Sequence, residues 1–340
     1  MQKARLSVHS LVLAGCFAAA GAPAQTISQD FSADPARGGW EVLGDTNLFA
    51  WDSSRRLLRV TWDSTQPNGF FCHSLTGYVT RYDDFRVEFD LTLADITSGV
   101  EPDKTMPVQL GLGFLNRTNI ANPDYSRCAW GGTPNVAELC YYGLGSYEDE
   151  GATHYSLPAL VPSFIAGTDS YAYAPAYDAP YTRELPLNQT VHIALSYTAT
   201  NQSAALSVTT NGVALGVYPD LVLDEGNNFP DGQDFRVDTF SISSYHGNDW
   251  SSILAHGAVA NIVVTIPPPA RDLAGRFSNG LYRVEFSNAT NWLYTLERAT
   301  NLAAWTNVTD ALPGNGGRMA LEDAAAPPDR AFYRIRAQRP

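Results

Sequence analysis

The chain has 340 residues, 44% of them hydrophobic and only 17% charged, with a formal net charge of −13. That is enough apolar material for a large core, and too much chain for one small domain. A surface this acidic repels phosphate backbones, which argues against nucleic acid as a partner, and past the N-terminal segment no stretch is long and apolar enough to span a membrane.

Residues 1–24 read as a targeting segment. Lys3 and Arg5 precede the mostly apolar run Leu6 to Ala20, and Ala22-Pro23-Ala24 is a small-x-small cleavage site. A rival reading takes Leu13-Ala14-Gly15-Cys16 as a lipobox, with a lipid on Cys16. Either route takes the chain out of the cytoplasm, to the periplasm, the outer-membrane surface or beyond. Cleavage after Ala24 removes two positive charges and no negative ones, which moves the formal charge from −13 to −15.

From residue 25 the pattern is one of strands and turns, with no helical-period window longer than about three turns. Leu57 to Trp62 is a strand. Phe85, Val87, Phe89, Leu91 and Leu93 alternate strictly with polar residues, and Val108, Leu110, Leu112 and Phe114 repeat the pattern. Cys128 and Cys140 flank a turn-rich segment and, in an oxidising compartment, are expected to pair, with Cys72 left as a buried small hydrophobe. Between Leu144 and Pro186 the alternation fails while tyrosines accumulate, which predicts a long ordered cover rather than disorder. Val191 to Tyr197 alternates again, and Leu206 and Val208 begin another strand. Asn211-Gly212 supplies a tight hairpin turn. Pro267-Pro268-Pro269 opens a stiff linker over 267–277, and residues 278–340 restart a β pattern, with Trp305 as the expected core anchor.

The hairpin at 191–215, the Gly257-Ala258-Val259-Ala260-Asn261-Ile262 run and the alternating Phe85–Leu93 strand together resemble the concanavalin A-like lectin/glucanase superfamily, especially laminin-G-like domains. The resemblance covers about 240 residues. It implies an all-β fold: a two-sheet antiparallel jelly-roll sandwich over 25–266. The 278–340 tail is similar to short, loosely fibronectin-like C-terminal β modules of exported bacterial proteins.

That superfamily mostly holds sugars, so a glycan or polysaccharide is the expected partner. Sugars stack on exposed rings beside planar polar groups. The candidates are Trp130, Tyr141, Tyr142, Tyr147, Tyr171 and Tyr173, near Asp124, Arg127 and Asn135. The competing reading packs these rings between the long segment and the sheet. The superfamily's glucanases carry Glu-x-Asp-x-x-Glu on one strand. Here Glu88-Phe89-Asp90 is followed by Leu93 at the last position, so the acid/base partner is missing, and alternation puts Glu88 and Asp90 on an outer face. No histidine stands in a lyase motif. Laminin-G-like domains often hold calcium, for which Asp231 and Asp234 are the candidate ligands. Asp-Gly is also an ordinary turn, and no other cofactor is implied. The expectation is an exported, non-catalytic carbohydrate-binding protein. A hydrolase or lyase of the same fold and a structural adhesion protein are the alternatives.

Overall fold

The computed structural model describes residues 25–122, 125–127, 135–142, 145–149, 152–156, 159–167, 170–173, 185–216, 218, 220–248, 250–327 and 330–340. Asp124, Cys128 and Trp130 lie outside the described residues, as do the targeting segment and its Cys16. The chain divides into two units at Pro267/Pro268.

The larger unit is built from two antiparallel sheets. One runs in the order Val213–Ala214, Ser203–Thr210, Thr190–Thr198, Phe85–Ser98, Ile253–Ile266, Leu57–Asp63, Phe49–Asp52; Gln25–Gln29 and Leu221–Val222 bring it to nine strands. The other has seven: Ser170–Tyr173, Ala159–Gly167, Val136–Tyr142, Leu110–Leu115, Val237–Ser244, Gly69–Val79, Trp40–Gly44. Period-2 strands direct alternate side chains inward, so Phe85, Val87, Phe89, Leu91 and Leu93 meet Leu110, Leu112, Phe114, Phe240 and Ile242 in one core. Phe85 joins the sheets: it stacks on Tyr197 at 5.1 Å and stands edge-on to Phe114 at 5.0 Å. The Asn211-Gly212 hairpin forms as expected, with φ of 49° and 77° and Thr210 opposite Val213.

The segment after Leu144 differs from its reading. Gly145–Asp149 and Ala152–Ser156 pair as a hairpin, and Ala159–Gly167 and Ser170–Tyr173 complete the seven-stranded sheet. The missed strand Ala159–Gly167 is buried at seven successive positions, and Val136–Tyr142 at all of its positions. A strand covered on both faces has no polar side to alternate.

In the smaller unit, Ala270–Ser278, Leu281–Asn288 and Arg318–Asp323 form one sheet, while Leu293–Ala299 pairs with Thr306–Asn307, Leu312–Pro313 and Phe332–Gln338 in another. Tyr282 stacks on Tyr333 at 3.7 Å in its core. Two expectations are corrected here. Most of the 267–277 linker is this unit's first strand, and Trp305 is not the core anchor but lies half-buried, 4.3 Å from the Arg334 guanidinium. Among the described residues no helix is long and apolar enough to cross a membrane.

Candidate functional site

The outer face of the seven-stranded sheet carries a polar row. Strand register places Ser163, Glu138, Gly113, Ser241, Cys72 and Glu41 side by side across it. Glycine is required beside Glu138: a Cβ on Gly113 would come within 2.4 Å of the Glu138 Cα, and one on Gly111 within 2.6 Å of its Oε2. Glu138 is fully buried, so its charge needs partners. Arg127 Nε donates to Oε1 at 2.5 Å and Tyr245 Oη donates to Oε2 at 2.7 Å. Arg127 Nη2 reaches Ser163 Oγ at 3.2 Å, and its guanidinium lies 5.6 Å from the Tyr245 ring. Burial opposes the Arg127 charge, but Cys140 and Glu138 outweigh it and raise the guanidinium's pKa above its ordinary value.

Just before Arg127 in the chain, Tyr125 and Ser126 join Pro67, Asn68 and His246 among others in lining a cleft of about 430 Å³. Asn68 ties its walls together. Its Nδ2 donates to the Tyr125 carbonyl at 2.7 Å, and its Oδ1 accepts from the His246 backbone N–H at 2.7 Å. The His246 ring meets the Gln66 carbonyl through Nδ1 at 3.0 Å. Tyr125 stacks against Tyr245 at 6.1 Å, with Phe70 edge-on to both. Burial raises the Tyr125 pKa, so the phenol stays protonated, and its hydroxyl is buried.

The sequence candidates are dispersed. Tyr141 and Tyr142 are 4% and 1% exposed and belong to the core, so they offer no stacking face. Arg127 is committed to Glu138. Tyr171 is half-buried, packed against the apolar cluster of Phe70, Tyr125 and Tyr245 on the same outer face. Tyr147 and Tyr173 are placed by backbone alone, Tyr173 opposite Ser163. The expected Cys128–Cys140 bridge is not made. Cys140 is a free thiol pointing into the row beside Glu138, where burial raises its pKa. Sequence reasoning missed Asn68, His246, Tyr245 and Glu138. The last had a signal, because a lone carboxylate inside Val-Ala-Glu-Leu-Cys demands a partner.

Glu88 and Asp90 do face outward, on the nine-stranded sheet. His192 lies between them, 2.9 Å from Asp90 through Nδ1 and 3.6 Å from Glu88 through Nε2. The Arg86 hydrogen bond to Glu88 holds its carboxyl below the usual range despite partial desolvation. A general acid needs the opposite shift.

The residues for calcium do not fit the ion. Arg81, fully buried, fills that turn: its guanidinium donates to the carbonyls of Pro230, Gln233 and Leu223 at 2.9, 2.7 and 3.0 Å and to Gln202 Oε1. Asp234 Oδ1 accepts the Arg81 backbone N–H at 2.9 Å, and Asp231 stands 3.9 Å from the guanidinium. A second cation there would meet a buried positive charge.

No family model and no curated protein matches the chain. Solved structures are similar to it over part of its length. Peanut lectin with a 9mer peptide is 14% identical, with 71% of this chain and 98% of that chain covered and a TM-score of 0.39. Lectin II from Ulex europaeus is 13% identical, with 72% and 100% covered and a TM-score of 0.41. The Ca2+-bound exoplasmic/lumenal domain of VIP36 is 10% identical, with 72% and 95% covered and a TM-score of 0.42. At such values the likeness is one of strand arrangement and transfers no ligand to this chain; the two-sheet antiparallel sandwich is established by its own strand pairing.

Proposed function

We propose that the chain is an exported, non-catalytic protein that binds a carbohydrate in the cleft lined by Asn68, Ser126 and His246. The observation that carries this reading is the Asn68 clamp, which holds three chain segments around a preformed hollow with the exposed Ser126 and His246 in its wall. Preformed concave sites with a few convergent polar groups are the usual setting for small ligands. Asn68 spends both ends of its amide on the protein. Ligand hydroxyls are therefore met by Ser126 and the exposed His246 ring.

A glycan array run alongside a reducing-sugar assay tests it. Binding without release of reducing ends is expected. Ser126→Trp, which fills the cleft from an exposed position, should weaken that binding at least tenfold with an unchanged melting temperature. Unchanged affinity would move the site elsewhere, and steady release of reducing ends would make the chain an enzyme.

A further inference from the structure

We infer a second binding site, on the outer face of the opposite, nine-stranded sheet, for an anionic polysaccharide bearing carboxylate or sulfate groups. The chain carries 35 acidic residues against 22 lysines and arginines. On that face, nevertheless, a cleft of about 450 Å³ is lined by Arg55, Arg59 and His256, together with Asn47, Thr61 and Thr92.

The register explains why this hollow exists. Arg59 stands between Ala50 on one neighbouring strand and Ala258 on the other, and Ala258 in turn faces Thr92. Alanine on both sides leaves a trough one residue wide, with the guanidinium rising from its floor. One step along the strand, Thr61 faces His256.

Asp52 feels the Arg55 charge, but without an ion pair between them. Among the described residues neither Arg55 nor Arg59 forms an ion pair, although nine other arginines do so with a carboxylate. The nearby carboxylates are already engaged. Asp52 Oδ1 accepts from Ser54 N, Ser54 Oγ and Arg55 N at 3.2, 2.7 and 3.1 Å, and Asp95 meets His256 Nδ1 at 2.8 Å. Two unpaired guanidinium groups suit planar oxyanions, which they can grip in a bidentate fashion. Asn47, Thr61 and Thr92 suit ring hydroxyls. The trough favours a polysaccharide over duplex DNA because the surrounding surface is acidic and a duplex would have to approach all of it.

The inference is independent of the cleft proposed above, since the two share no lining residue. Its test is titration of the full chain with polygalacturonate, dextran sulfate, neutral dextran and duplex DNA at several salt concentrations. Binding of one or both anionic polysaccharides, weakening with salt, is expected, and the stronger of the two identifies carboxylate or sulfate as the group held. Neutral dextran should not bind this face. Arg55→Glu/Arg59→Glu should weaken anionic binding at least tenfold without shifting the melting temperature, while Ser126→Trp leaves it intact. Anionic binding that survives the charge reversal, equal binding of neutral dextran by this face, or binding of duplex DNA alone would each overturn the inference.

Discussion

Cys72 and Cys140 stand on the same polar face of the seven-stranded sheet, both buried and both free. Burial pushes the Cys72 thiol up to about 11, with Arg117 only partly countering it from 3.4 Å. Burial likewise raises Cys140. Alkylation requires the thiolate, and a thiol with a pKa near 11 is ionised to only about one part in a thousand at pH 8. Neither should be labelled by a maleimide in the native protein at pH 8, and both should be labelled in denaturant. Peptide mapping after each treatment reads the two sites separately, and native labelling at Cys72 would show that the sheet face is open. The pairing expected from sequence rested on the short separation of Cys128 and Cys140. Separation along the chain says nothing of which sheet face a residue occupies, and Cys140 faces Glu138, Arg127 and Ser163.

At the level of elements, legibility followed burial. The Phe85–Leu93 strand was plain in the sequence because one face meets the core and the other meets water. The Asn211-Gly212 turn was plain because few residue pairs tolerate its backbone. Ala159–Gly167 was invisible as a strand because both of its faces are covered. The clefts were illegible for another reason: Asn68 joins residues 57 and 178 positions away, and no local pattern encodes such a meeting. The 230–234 turn was legible as oxygen-rich but not in what fills it. Arg81 lies far back in the chain, yet its guanidinium takes the carbonyls a metal would use. Calcium should therefore be dispensable. A resident ion at one hundred times its dissociation constant would add about 2.7 kcal/mol of stability, whereas addition of EDTA or of millimolar calcium should leave the melting temperature of this protein unmoved. Arg81→Met should lower it sharply, because the carbonyls of Pro230, Gln233 and Leu223 lose their donor. A clear upward shift with calcium would mean that the ion enters despite the guanidinium.

The whole molecule is two cores on one chain. The larger unit closes around Phe85, Phe114 and Tyr197, and the smaller around Tyr282, Phe286, Tyr294 and Tyr333. Three prolines, 267 to 269, stand at the division, and Tyr294 Oη donates to the Pro269 carbonyl at 2.8 Å, so the tie at that point belongs to the smaller unit. Each sheet pairs only with strands of its own unit. Cooperativity follows shared burial, and units with separate cores unfold separately. Calorimetry of the full chain should show two transitions. At about 0.7 kcal/mol of unfolding enthalpy per residue, the smaller unit should contribute roughly 50 kcal/mol and the larger more than three times as much. Tyr294→Ala, which empties the smaller core and removes one donor from the Pro269 carbonyl, should lower one transition and leave the other in place. A single transition whose van't Hoff and calorimetric enthalpies agree would show that the two units fold as one.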